Sequence, residues 1–400
     1  MRKLSTAIAC VTAPLFFARF GMLGCGPPPS NSVTVEHDDP ARAPVLFVGN
    51  AGEGTITLIH AETWNVLGKL NVIPDGSSPR DPGQAVIYPA IVAAKGVNFV
   101  QGIAVSSDGQ TVYVSRGYLG DVVAIELASG ALRWRTQMPG LRADHLTLSP
   151  AGTRLFVSAI TANVVEALDV TRGEVVGEAP VATYPHVLRF TPDGKSLAVG
   201  LMGDTSASPG NEGYRGLAFV DPVSLVVQRT VALDAGVRPF VFTPDGSTLY
   251  VQLSLFNGLA AISSSGEILR RVELPILGPA IDMKPSEYPN HAAHHGIALS
   301  GDGRTLCVSA TVSNYVALVD RATLAAGDPI PVPDQPAAAL TSADGKYCFV
   351  SNRGPAGHCV SVISFRDRRE VARIEVGTRP QELAEASVLA STLRRAPLTR

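Results

Sequence analysis

The chain has 400 residues, of which 46% are apolar and 17% charged, and its formal net charge is −2. So even a balance leaves no basic footprint and sets nucleic acid aside as a partner. Low charge together with 38 glycines and 30 prolines points to a β-rich globule with many turns.

The first residues read as an export signal. Arg2 and Lys3 precede an apolar run from Leu4 to Phe17, and Met22-Leu23-Gly24-Cys25 resembles a bacterial lipobox with Cys25 as the residue to be lipidated. Residues 1–25 are therefore expected to be a lipoprotein-type signal. Residues 26–43, with Pro27, Pro28 and Pro29, are expected to form a flexible tether. Gly26, rather than Asp, after the cysteine resembles the outer-membrane-directed class. The protein is thus expected outside the cytoplasm, held at the outer membrane by lipid alone, since no later stretch is long and apolar enough to cross a bilayer.

From Val45 the chain alternates short strands. VLFVGN (residues 45–50) and TITLIHAET (residues 55–63) are followed by a phrase that returns about every forty-two residues. Its copies include GIAVSSDGQTVYVS (102–115), HLTLSPAGTRLFVS (145–158), VLRFTPDGKSLAVG (187–200), PFVFTPDGSTLYVQ (239–252), GIALSGDGRTLCVS (296–309) and AALTSADGKYCFVS (338–351). The turn glycines, Gly109, Gly152, Gly194, Gly246, Gly303 and Gly345, lie 43, 42, 52, 57 and 42 residues apart. Each turn is expected to be a two-residue type I′ hairpin in which glycine supplies positive φ.

Third runs such as DVVAIEL (121–127) and fourth runs such as REVARIEV (369–376) complete a four-stranded unit. A period of this length made of short strands implies an all-β, seven-bladed propeller of antiparallel blades. The opening strands lack the first strand of a unit, and VGTRPQELAEASV (376–388) supplies one. The two chain ends are therefore expected to share the seventh blade, giving one propeller over residues 44–390 followed by a tail, 391–400. Almost no helix is expected.

These residues resemble the YVTN-repeat family of seven-bladed propellers, in which a Pro-x-Gly opening leads to an S-P-D-G turn, a Y-V-T-N strand and a V-S-V-I-D strand. The matches are Pro380-Gln381-Glu382, Ser106 to Gly109, Phe349 to Asn352 and Val360 to Ser364. The opening glycine is replaced by His145, Val187, Pro239 and Ala338. The resemblance implies architecture; members of the family serve diverse roles, so chemistry has to come from the site.

Three segments exceed the base unit: Asn71 to Phe99, Leu201 to Arg215 and Pro275 to His294. By strand order all three fall on one face, opposite the Asp-Gly turns, where long loops on a rigid scaffold build binding sites. Counting back from the turn glycines places Gln101, Asp144, His186, Arg238, His295, Ala337 and Gln381 at one register, around the mouth of the central channel on that face. The next register adds His145. A ring holding acid, base and imidazole is more polar than filling requires, so Gln101, Asp144, His145, His186, Arg238, His295 and Gln381 are the candidate ligand-binding residues. His145, His186, His291, His294 and His295 are candidate ligands for copper or zinc, with Asp144 orienting one of them. The same mouth could support lactonase-like acid–base chemistry, although no nucleophile motif accompanies it.

Asn50, Arg116, Asn352 and Arg353 follow second strands and are read as loop caps, and Asp169, Asp221 and Asp320 as residues that shape turns. No CxxCH motif is present, so c-type haem is not expected. After loss of Cys10 and lipidation of Cys25, Cys307, Cys348 and Cys359 remain; Cys348 and Cys359 either pair within one blade or stay as buried thiols. The expected role is a monomeric, lipid-anchored binding or scaffold module holding a small molecule or protein on the insertion-bearing face. The alternative is a metal-dependent or hydrolytic enzyme working at the channel mouth.

Overall fold

The computed structural model describes residues 41–400, apart from 205–206 and 208–209. The expected signal peptide and its Cys25 lie outside the described residues. Seven four-stranded antiparallel sheets are present among the described residues. Blade 1 comprises Gly102–Val105, Thr111–Arg116, Asp121–Glu126 and Leu132–Gln137; blade 2 begins with Ala143–Leu148, blade 3 with Pro185–Phe190, blade 4 with Val237–Phe242, blade 5 with Gly296–Leu299 and blade 6 with Pro336–Thr341.

Blade 7 closes the ring from both ends of the chain. Its inner strand, Pro380–Leu389, pairs with Arg42–Asn50, which pairs with Thr55–His60 and then Val66–Asn71. The last residues fold back on the same blade: Ala390–Arg395 is a short helix, and Thr399 exchanges backbone hydrogen bonds of 2.7 and 3.0 Å with Lys69.

Alternation along the strands puts one set of apolar side chains into each gap between blades. Phe47, Ile56 and Leu58 of blade 7 meet Val112, Val114, Val123 and Ile125 of blade 1, all essentially without exposure. Burying such a side chain is worth about 1.5–3 kcal/mol, so neighbouring blades stabilise one another and no blade holds a complete core alone.

The turns differ from the expected type I′ hairpins. Gly109 N–H closes on the Ser106 carbonyl at 2.8 Å, and Gly109 has φ +71° while Asp108 stays at negative φ. A type I′ turn needs positive φ at both central residues; here a four-residue turn places only glycine in the left-handed region. Asp108 contributes through its side chain, accepting from Ser106 Oγ at 2.5 Å and Gln110 N–H at 3.0 Å.

The next-to-last residue of the second strand, serine in blades 1, 2, 5 and 6 and Gln252 in blade 4, also has a physical role. Ser158 Oγ donates to the His186 carbonyl of the next blade at 2.8 Å, and Gln252 Nε2 does the same for the Gly296 carbonyl at 2.9 Å. These bonds satisfy inner-strand carbonyls that the ladder leaves free.

Two further expectations need correction. The first insertion contains a 14-residue helix, Pro82–Lys95, capped by Asp81, whose Oδ1 accepts from Gln84 N–H at 2.8 Å. Proline at its first position and Gly96 beyond its end are ordinary helix signals, masked in the sequence by Pro89 inside it. The disulfide joins Cys307 to Cys348, not Cys348 to Cys359, and Cys359 is a buried free thiol. In the blade 6 ladder Cys348 faces Ile363 while Cys359 faces Asn352, so these two cysteines are four residues out of step, about 13 Å along the strand. Cys307 and Cys348 instead lie one position out of register on the second strands of blades 5 and 6, so strand alternation turns them to opposite sheet faces and into the gap the two blades share, with Cα atoms 6.5 Å apart.

Candidate functional site

The inner strands carry an irregularity at the same place in blade after blade. In blade 2, Ala143 pairs with Ala159 and Leu146 with Val157, so Asp144 and His145 together face Ser158. His186 and Val187 bulge in the same way in blade 3, Arg238 and Pro239 in blade 4, Ala337 and Ala338 in blade 6. Gln381 is the extra residue in blade 7. A bulge puts one unpaired residue into the strand and re-aims its side chain, which is why this register points into the channel mouth. Gln101 and His295 take the equivalent place just before the inner strands of blades 1 and 5, each donating its N–H to the serine carbonyl opposite.

All seven residues of this register are buried. Gln381 Nε2 donates to Gln101 Oε1 at 2.7 Å, and Asn98 Nδ2 donates to the same oxygen at 2.6 Å. Asp144 Oδ2 lies 3.2 Å from His186 Nδ1, and Asp144 Oδ1 lies 3.8 Å from His145 Nε2. The His145 and His186 rings stand edge to face at 4.5 Å, and His295 lies 5.6 Å from His186 across the channel. Arg238 donates to Ser254 Oγ at 2.9 Å and to Met202 Sδ at 2.9 Å. Ala337 adds only a small apolar surface.

The imidazoles divide into separate roles. His295 and His186 face the mouth cavity, as does His291. His294 does not join them: its Nε2 is 3.0 Å from Asn257 Oδ1, outside the group. Backbone alternation separates neighbours, so consecutive His294 and His295 point apart. Among the described residues, the only cluster with metal-ligand spacing is Asp144, His145 and His186, whose donor atoms lie within 4.8 Å of one another.

Electrostatics at the mouth are uneven. Burial pushes Asp144 up, but Arg142 and then His186 outweigh it and hold the carboxyl well below the usual carboxylate range. Burial brings His186 down to about 4 and His295 well below the ordinary histidine value, so both imidazoles are neutral at pH 7. For His145, burial is outweighed by Glu382, whose carboxylate lies 3.2 Å from Nδ1, and the ring titrates above its usual value.

Two cavities meet here. The inner one, of about 420 Å³, runs down the channel between first strands and includes His145, Arg189 and Glu382 in its wall. The outer one, of about 370 Å³, is the mouth, and all three insertions reach it: Ile91 and Lys95 from the first, Met202 and Asp204 from the second, Asn290 and His291 from the third. Gln101, His186, Arg238, His295 and Gln381 form its floor, with Arg142, Arg353, Tyr118 and Tyr184 around them.

Several of these residues escaped the sequence reading. Arg353, set aside there as a loop cap, is 7% exposed and lines the mouth. Asn50 and Asn352 donate to Thr57 and Ser361 inside the neighbouring strands, and Asn50 Oδ1 also accepts from Gly377 N–H of a crossover at 3.1 Å, whereas Arg116 belongs to a buried ion network. Asp169, Asp221 and Asp320 accept from the N–H groups of the turns that follow them. Glu382 occupies the same register as His145, so the repeat alignment already marked its place. Gly102 occupies that register in the intervening blade 1, where a Cβ would meet Ser115 Oγ at 2.9 Å, Leu146 N at 3.1 Å and the Asp144 carbonyl at 3.3 Å, so its missing side chain lets the backbone on either side of His145 pack close, and His145 reaches Glu382 of blade 7.

No family model and no curated protein matches the chain. Among solved structures it is similar to Kuenenia stuttgartiensis hydrazine synthase, at 21% identity and a TM-score of 0.61, covering 80% of this chain and 92% of that one. It is also similar to the dihydro-heme d1 dehydrogenase NirN in complex with DHE, at 15% identity and a TM-score of 0.56, covering 83% of this chain and 63% of that one. The chain thus spans less than two thirds of the NirN chain. Both likenesses are in the propeller fold.

Proposed function

We propose that the protein is a binding module that holds a small anionic molecule in the mouth cavity, on the insertion-bearing face. The observation that carries this reading is a pair of buried guanidinium groups without a carboxylate in contact. Arg238 and Arg353 are 3% and 7% exposed, both line the mouth, and among the described residues neither forms an ion pair, Asp144 acting on Arg238 only from beyond that distance. Burial lowers each to about 10, still charged at pH 7. A desolvated charge without a partner is costly, and a carboxylate or phosphate placed between the two would remove that cost while receiving forked hydrogen bonds. Lys95 and Arg142 add to the positive field.

The remaining wall is mixed: Ile91, Leu141, Ile160, Tyr118 and Tyr184 give apolar and aromatic surface, while Gln101, Thr161, Asn290, Gln381 and the histidines give hydrogen-bonding groups and Asp204 one carboxylate. The ligand is therefore an anion with a partly apolar body, and a cavity of about 370 Å³ falls in the range of small-molecule sites. The proposal includes export, lipidation at Cys25, an outer-membrane location, a monomeric state and membership of the YVTN-repeat family. The Cys307–Cys348 disulfide supports an oxidising compartment, and among the described residues no helix is long and apolar enough to cross a membrane.

Calorimetric titration with citrate, benzoate and inorganic phosphate tests the reading. At least one should bind saturably, and Arg238→Met or Arg353→Met should weaken it by about tenfold or more. Absence of binding by all three, or affinity unchanged in the double variant, would count against it.

A further inference from the structure

We propose that Asp144, His145 and His186 form a binding site for one divalent transition-metal ion of the zinc and copper class. This site goes beyond the anion reading and does not depend on it, because the donor atoms differ from the guanidinium groups that would hold the anion.

Geometry makes the first argument. A tetrahedral centre with ligand bonds of about 2.0–2.1 Å places its donors about 3.3 Å apart. Asp144 Oδ2 and His186 Nδ1 are 3.2 Å apart, Asp144 Oδ1 and His145 Nε2 are 3.8 Å apart, and all three residues present a donor atom within 4.8 Å of the others. Closing this set around an ion calls for the widest donor pair to contract by up to about 1.5 Å.

Unused hydrogen-bonding capacity makes the second. His145 Nε2, the nitrogen this set uses, is buried and has no hydrogen-bond partner, whereas His186 offers Nδ1, beside Asp144, and keeps Nε2 as its far nitrogen. His145 has its other nitrogen, Nδ1, 3.2 Å from the Glu382 carboxylate. A ligating imidazole is usually oriented in this way, with a carboxylate on the far nitrogen directing the near lone pair at the metal. Glu382 is thus a positioning residue. Two imidazoles and one carboxylate, opening on the cavities on either side, leave a coordination position free for a water molecule or a ligand atom.

One cation already stands at this place. Arg142 brings Nη2 to 3.4 Å from Asp144 Oδ2, and its side chain is 24% exposed, so it has a route outward to solvent. Arg142 and a metal ion compete for the same carboxylate. Binding would release whatever proton the imidazoles carry, because nitrogen ligates through its lone pair.

Zinc sulfate titrated into the chelator-treated full chain, followed by calorimetry and elemental analysis, tests the site. We expect one zinc per chain, with stoichiometric binding lost in His145→Ala/His186→Ala. Glu382→Gln should weaken binding about ten- to a hundredfold, Arg142→Gln should tighten it, and His294→Ala should leave it unchanged. Arg142→Gln leaves the ligands in place, so its opposite sign separates a metal effect from a folding defect. No saturable binding by the native chain, or one zinc per chain retained in the double-histidine variant with native melting, would overturn the proposal. Zinc binding that persists while Arg238→Met abolishes anion binding would show that the two readings stand or fall separately.

Discussion

Arg116 and Asp75 meet at 2.6 Å, Nη1 to Oδ1, joining the second strand of blade 1 to the first insertion. Arg116 is fully buried and also holds Asp121 at 2.7 Å, while Asp75 is shared with Arg135 at 2.7 Å. Burial raises Asp75, but Arg116 and Arg135 outweigh it and lower the carboxyl to about 2. This network docks the start of the insertion, and Gln84 docks its helix through the Tyr118 and Leu141 carbonyls.

Removing one partner of such a network leaves a buried charge uncompensated. Arg116→Met should therefore cost about 3–5 kcal/mol. Arg80→Ala, from a side chain 63% exposed beside the same carboxylate, should cost less than about 1 kcal/mol. Urea unfolding of the two variants checks the contrast, and similar losses would show that the network is not a buried one.

The disulfide ties blades 5 and 6 across 41 residues of sequence. Replacing both Cys307 and Cys348 with serine should lower unfolding stability by about 2–4 kcal/mol. Non-reducing peptide mapping should find these two linked and Cys359 free; a linked Cys359 would contradict the arrangement.

His294 makes stability sensitive to acid. Burial lowers its titration to about 3, whereas an unfolded histidine takes up a proton near 6.5. Between those values the unfolded state binds more protons than the fold, so this contribution to stability is whole above pH 6.5 and is lost progressively as pH falls toward 3. Chemical denaturation at pH 7, 6 and 5 should show a shallower decline for His294→Phe than for the native chain. Parallel declines would mean that His294 titrates normally.

Ring closure can be tested by graded truncation. Deleting residues 380–400 removes the inner strand of blade 7 and bares the Arg42–Asn50 edge, so loss of the cooperative native transition is expected. Deleting residues 397–400 removes the Lys69–Thr399 bonds and should cost no more than about 1–3 kcal/mol. Circular dichroism melts distinguish these outcomes.

Much of this architecture was legible because one phrase repeats. Counting back from Gly109 and its equivalents located the ring residues in a single register, and bulges in the inner strands turn Asp144, His186, Arg238 and Gln381 toward the mouth. What repeats poorly was harder to read. The helix Pro82–Lys95 sits in an insertion with no counterpart in other blades and carries a proline inside it. Arg353 looked like its structural relative Arg116, yet one residue of difference in strand position takes it to the mouth instead of an ion network. The cysteine pair required contacts between blades, which strand patterns within one blade do not reveal. His294 and His295 were inseparable as a motif until backbone alternation set them on opposite sides.

Gly102 has a wider effect than its size indicates. Because blade 1 offers only hydrogen at this register, the blade 2 backbone on either side of His145 packs directly against it, and the imidazole docks on a carboxylate from the chain's final strand. Fraying or clipping at the carboxy-terminal seam therefore withdraws the carboxylate that holds His145 in place, so damage far from the axis in sequence reaches the side chains gathered on it.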